Sequence, residues 1–91
     1  MNPRKRSMIY MLAQSYAIEI LGALAKKPMR FTDLEDYGPN ERTRSQRLKE
    51  LEGRGLVTTT TLKIGRRPFV HYTLTDRGRV VLEKVRELSE L

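Results

Sequence analysis

Cysteine is absent from the 91-residue chain, and histidine occurs once, at position 71. Without thiols there is no disulfide, no thiolate metal site, no cysteine nucleophile and no thiol switch. A lone imidazole does not by itself make a zinc site, so neither a metal nor a cofactor is expected. Long apolar runs are missing too. The longest, Met8 to Ala13, falls well short of the ~20 residues of a membrane span and of a secretory h-region with its cleavage site. No paired carboxylates, glycine-rich phosphate loop or nucleophile–base spacing appears, so no catalytic residue is assigned and an enzyme is not expected. These absences leave a soluble, cytoplasmic single domain over residues 1–91 as the expectation.

Negative charge is the other scarcity: 11 Asp and Glu face 18 Lys and Arg, for a net charge of +7. The excess is uneven. Residues 1–30 carry +5 (six cations against Glu19), residues 31–40 carry −3 (Asp33, Glu35 and Asp36), residues 41–67 carry +5 (eight cations against three acids), and the rest is neutral. Clustered positive charge is the electrostatic footprint of a protein that meets a polyanion. DNA or RNA is the default partner. Beside sequence-specific binding of double-stranded DNA stand two alternatives: a sequence-neutral architectural (chromatin) protein, and a protein-interaction or RNA-binding module.

Periodicity supplies the architecture. After a basic arm at residues 1–6 (Arg4, Lys5, Arg6), Ile9, Leu12, Tyr16, Ile20 and Leu24 recur at helical spacing over residues 7–27. This predicts one long helix, or two if the chain breaks near Gln14-Ser15, with Lys26-Lys27 in the last turn and Pro28 as the stop. Met29 to Phe31 has room for a single rung of strand. Thr32 and Glu35 predict a capping box for a short helix over Asp33 to Tyr37. Asn40 then caps a helix from Glu41 to about Arg54 that buries Leu48 and Leu51 and stops at Gly53 and Gly55. Val, Thr and Ile over Leu56 to Ile64, a turn at Lys63 to Pro68, and Val70, Tyr72 and Leu74 form a hairpin, with Thr75-Asp76 opening the last helix over 76–91. The class is mainly α with a small β-hairpin wing, the helix-turn-helix spanning 32–54 and the wing 56–75: a winged helix-turn-helix.

Three segments placed on these elements, RFTDLEDYG at 30–38, RLKELEGRGLV at 47–57 and YTLTDRG at 72–78, resemble the winged-helix transcription regulators of the HxlR type, with the MarR and PadR regulators as more distant relatives. The resemblance runs from about Tyr16 to Leu88. It implies a homodimeric, sequence-specific DNA-binding regulator. There are two departures. Relatives commonly carry a cysteine near the amino terminus, some using it as a sensor, and this chain has none. The recognition-helix position four before Leu48 is usually apolar, and here it is Arg44.

On the helix 41–54, Leu48 and Leu51 set the buried face, so Arg42, Thr43, Gln46 and Arg47 are assigned to base edges. An Arg fork matches guanine O6 and N7, and Gln matches adenine N6 and N7. Arg44 stays open between base, phosphate and an internal pair with Asp33 or Glu41, and Ser45 between a phosphate contact and simple packing. Lys63, Arg66 and Arg67 at the wing tip are assigned to backbone or minor groove. His71 is placed on the outer face of the wing, opposite Val70 and Tyr72, and Phe31 and Tyr72 in the core. The acids Asp33, Glu35 and Asp36 are expected to face away from DNA. Met8, Ile9, Met11 and Leu12 near one end and Val80, Val81, Leu88 and Leu91 near the other exceed what so small a core buries. They predict a homodimer through the first and last helices.

Overall fold

The computed structural model describes residues 7–91, and the arm bearing Arg4, Lys5 and Arg6 lies outside them. The Ser7 hydroxyl caps α1 (Met8–Leu12) by accepting the Tyr10 N–H at 3.1 Å. Of the two readings of residues 7–27, the one with a break near Gln14-Ser15 is the one that forms. The chain breaks at Tyr16, whose φ is 74°, and restarts as α2 (Ala17–Leu24). A left-handed tyrosine costs about 1–3 kcal/mol. Its side chain offsets that cost: the hydroxyl accepts the Asn40 N–H at 3.1 Å, and the ring packs so close to Gly38 that a Cβ there would lie 2.8 Å from Tyr16 Cδ2. Helix α2 ends at Leu24, so Lys26 and Lys27 lie beyond it rather than in its last turn.

Met29 supplies the expected single rung, exchanging backbone hydrogen bonds with Tyr72 at 3.0 and 2.6 Å. The capping box at Thr32 does not form. Instead the Asp33 carboxylate accepts the Arg30 backbone N–H at 2.9 Å and two bonds from its guanidinium, and the segment Thr32–Asp36 winds as a 3₁₀ turn. The turn starts from Phe31 in the αR region, so Thr32 lies inside it and not at the extended position a cap requires; what the turn delivers to the core is Leu34, fully buried.

Asn40 caps α3 (Glu41–Gly53), its Oδ1 accepting the Thr43 N–H at 2.8 Å. The helix closes in a Schellman motif: Gly55 at φ 73° donates to Glu52 O at 2.9 Å, and Leu56 donates to Leu51 O at 3.0 Å. Only a residue tolerant of positive φ fits at Gly55, and the closure puts Leu51 and Leu56 together in the core. Strands β1 (Val57–Ile64) and β2 (Arg67–Leu74) pair antiparallel, Val57 opposite Leu74 and Ile64 opposite Arg67. The predicted six-residue turn contracts to Gly65-Arg66, with Gly65 at φ 64°. Positive φ at the first central position alone is the type II′ requirement, whose twist matches the strands.

Helix α4 (Asp76–Ser89) starts at Thr75, whose hydroxyl accepts the Gly78 N–H at 2.9 Å and donates to Gly55 O at 2.6 Å. The core gathers Ile20, Leu21 and Leu24 of α2, Leu34, Leu48 and Leu51 of α3, and Leu56, all essentially inaccessible. Phe31 and Tyr72 pack against it half-buried.

His71 departs from expectation. It does lie on the sheet face opposite Tyr72, but that face is covered. Phe69 and His71 share it, the Arg30 guanidinium stacks 5.2 Å from the Phe69 ring, and His71 is buried with Nδ1 2.9 Å from Phe69 O. The residue left outside is Val70.

Candidate nucleic-acid interface

Helix α3 sorts its polar residues by face. Arg42, Gln46 and Lys49 are exposed and Ser45 is half-buried; with Glu41 and Phe31 they line an open groove of about 680 Å³. Positions 42, 45, 46 and 49 follow the i, i+3, i+4, i+7 rule for one helical stripe. Thr43 is half-buried beside it, its N–H held by the Asn40 cap. Lys49 was absent from the sequence assignment, although its spacing of seven from Arg42 carries the information.

Arg44 and Arg47 do not join this face. Both are buried, at 4% and 6% exposure. The Arg44 guanidinium lies 4.3 Å from the centre of the Phe31 ring and its Nη1 donates to Gly38 O at 2.5 Å, while its Nε finds no partner. Neither Asp33 nor Glu41 is its partner; Asp33 is taken by Arg30. Arg47 donates from Nε to Ser15 O at 2.7 Å and pairs through Nη1 with Glu50. The physical reason is the buried stripe itself: Leu48 and Leu51 extended back by four give 44 and 47, so these side chains start inward. Their long apolar stems pack, and the guanidinium heads reach carbonyl oxygens.

The wing brings Lys63, Arg66 and Arg67 together at its tip, all exposed, with Arg67 opposite Ile64 and Lys63 opposite Pro68. Ile64 is itself 49% exposed between these cations. Glu35 and Asp36 are exposed around a separate surface hollow that Lys27, Thr32, Asp33 and Tyr37 also line, none of them shared with the α3 groove. Hydrogen bonds from the Arg30 side chain, then from its backbone, hold the Asp33 carboxyl below its ordinary pKa. Among the described residues no group of His, Cys, Asp or Glu is placed to hold a metal ion, and no helix is long and apolar enough to cross a membrane.

A second surface is apolar. Met8, Ile9, Leu12 and Ala13 on one side and Val80, Val81, Val85 and Leu88 on the other wall a groove of about 490 Å³ between α1 and α4, closed by Ile18. Ile9 is 74% exposed and Leu88 66%.

A family model described as HxlR-like helix-turn-helix matches residues 11–91. No curated protein matches the sequence. Among solved structures, the transcriptional regulator YodB from Bacillus subtilis in its reduced form is similar at 27% identity and TM-score 0.80, over 99% of this chain and 89% of that one. The protein ytfH from Salmonella typhimurium, described as a transcriptional regulator, is 30% identical at TM-score 0.73, over 90% of this chain and 74% of that one. PadR from Bacillus subtilis, solved in complex with operator DNA, is 26% identical at TM-score 0.64, over 78% of this chain and 46% of that one. These neighbours are transcription regulators rather than enzymes.

Proposed function

The chain belongs to the HxlR-like helix-turn-helix family of transcriptional regulators, and we propose that it reads double-stranded DNA sequence-specifically as a homodimer. The carrying observation is the stripe of exposed Arg42, Gln46 and Lys49, with half-buried Ser45 among them, on the helix that follows the motif turn. In this reading α3 enters the major groove amino-terminal half first, as recognition helices do. Arg42 and Gln46 carry donors suited to guanine and adenine edges. Thr43 and Ser45 approach base or phosphate from its flanks, and Lys49 takes a phosphate. Lys63, Arg66 and Arg67 follow the backbone or enter the minor groove. Arg44 and Arg47, with their guanidinium groups tied inside the protein, make no DNA contact.

The apolar groove between α1 and α4 is the surface on which a second copy docks in this proposal. A two-fold pairing there hides Ile9, Val80 and Leu88, which a monomer leaves wet.

Selection of bound duplexes from a randomised pool at near-physiological salt tests the proposal. The expected product is a two-fold symmetric motif with half-sites about 10–11 bp apart. Retention of duplexes without an enriched motif, lost steeply on adding salt, would show phosphate-driven architectural binding instead. Preference for RNA, or no nucleic-acid retention, would move the protein to an interaction module.

A further inference from the structure

Taking α3 as the DNA-reading helix, we infer that Arg47 and Tyr16 are positioning residues that fix the register and tilt of α3 through the corner between α1 and α2. Three observations converge on that corner. Arg47 Nε donates to the Ser15 carbonyl at 2.7 Å across 32 residues of sequence, from the middle of α3. Tyr16 Oη accepts the N–H of Asn40, the residue that caps α3, at 3.1 Å across 24 residues. Between these anchors the Tyr16 ring lies on Gly38, whose carbonyl holds Arg44 of the same helix.

The backbone supports the assignment. Tyr16 is the one described non-glycine residue at positive φ, and its N-terminal place on α2 has no side-chain cap. Strain of this kind persists where surrounding contacts over-determine it. Here the Tyr16 contacts reach the amino end of α3, and the adjoining Ser15 carbonyl holds its middle through Arg47, two points that together define an axis. The Glu50 carboxylate, on the same helix, pairs with Arg47 and orients the guanidinium toward Ser15. A helix seated on the core by Leu48 and Leu51 alone still has freedom to roll and slide, and a shift of about 1 Å is enough to misalign a bidentate contact. The two long-range bonds remove that freedom.

A positioning role has a distinct signature. A residue that touches a phosphate changes the salt dependence of binding, by about 0.9 in the slope of log K against log salt. A residue that touches one base relaxes preference at one position. A residue that sets the helix axis leaves the salt slope alone and blurs every position of the half-site together.

The test uses the full chain, the duplex selected above and a duplex of scrambled sequence, with Arg47→Met, which keeps the stem and deletes the guanidinium, and Tyr16→Phe, which deletes only the hydroxyl. We expect both variants to bind the scrambled duplex as the parent does, with an unchanged salt slope. On the selected duplex we expect Arg47→Met to bind about tenfold more weakly and Tyr16→Phe about threefold, with preference lowered across the whole half-site on reselection. A slope reduced by about 0.9 in Arg47→Met would make Arg47 a phosphate contact and overturn the inference. Loss of preference at a single base pair, or parental affinity in both variants, would overturn it equally. If Arg47→Met lacks a cooperative melt, Tyr16→Phe decides by the same criteria. Failure of the parent chain to enrich any motif would instead sink the reading of α3.

Discussion

Gly78→Ala sets two effects of opposite sign against each other. Gly78 sits in the first turn of α4 with ordinary negative φ, so on helix propensity alone alanine should stabilise by about 1 kcal/mol. The packing says otherwise. An alanine Cβ would penetrate the Leu56 carbonyl oxygen and lie 2.7 Å from Leu74 Cδ1. Neither neighbour gives way easily: Leu56 is backbone at the closing motif of α3, its oxygen accepting the Thr75 N–H at 3.0 Å, and Leu74 is a buried strand residue. The first turn of α4 must lift away, which strains the Thr75 cap and its 2.6 Å bond to Gly55 O. Overpacking costs about 1–3 kcal/mol and a damaged cap about 1 kcal/mol more, so the net is a loss of about 2 kcal/mol after the propensity gain. For a chain of this size that lowers Tm by roughly 8–16 °C. Thermal melting followed by circular dichroism, on equal protomer concentrations, measures it. A Tm equal to or above the parent's would refute the close approach of α4 to Leu56 and leave propensity as the ruling term.

Three further outcomes follow from the same surfaces. Arg42→Ala and Lys49→Ala should each weaken DNA binding by about 1–3 kcal/mol or less; the one that is a phosphate contact should flatten the salt slope by about 0.9, read by anisotropy titrations at several salt concentrations. Leu88→Glu puts a charge into the α1–α4 groove and should shift the chain to monomer in sedimentation velocity at micromolar concentration, while far-ultraviolet dichroism stays that of the parent, because Leu88 is exposed in the single chain. Asp33 is held below its ordinary pKa of 3.8 by Arg30, so its contribution to stability is complete at neutral pH and is lost as pH falls below that value. Asp33→Asn should therefore lower stability slightly at pH 7 and not at pH 2 in urea titrations, the effect being small because the pair is well exposed to solvent.

Much of the fold was legible because several weak signals agreed. Asn40 before Glu41, the glycine after Arg54, the change from helical to alternating period at Leu56, and Thr75-Asp76 before an apolar stripe each mark a boundary within a residue or two of where it stands. The errors lie where a distant group outcompeted a local rule. Thr32 and Glu35 have the spacing of a capping box, but Phe31 is already in the αR region, so Thr32 falls inside the 3₁₀ turn and not at its extended start. A break near Gln14-Ser15 is one of the two readings of residues 7–27 and the one that forms, but nothing local in Gln14-Ser15-Tyr16 selects it by demanding a left-handed residue. The break is stabilised by Gly38 and Asn40, more than twenty positions away. His71 was misjudged for a related reason: alternation assigned its face correctly, and the cover supplied by Arg30 and Phe69 has no period to betray it.

Helix α3 shows most clearly what charge alone conceals. Over Glu41 to Lys49 the cations Arg42, Arg44, Arg47 and Lys49 read as one basic surface, and residue type suggests that all of them seek water or phosphate. Helical geometry divides them in pairs. Extending the Leu48 and Leu51 stripe back by one turn lands on 44 and 47; extending Arg42 forward by two turns lands on 49. The period therefore outranks the residue type in deciding which arginines are internal. The sequence gives no hint that burial there is tolerable, since a buried guanidinium needs acceptors to offset its desolvation. Those acceptors are the Gly38 and Ser15 carbonyls and the Phe31 face, contributed by connecting segments, with Glu50 on α3 itself added for Arg47. An arginine at position 44 is thus compatible with a family position that is usually apolar. Its stem does the packing of the apolar residue, and its head closes a loop carbonyl that would otherwise stand unpaired.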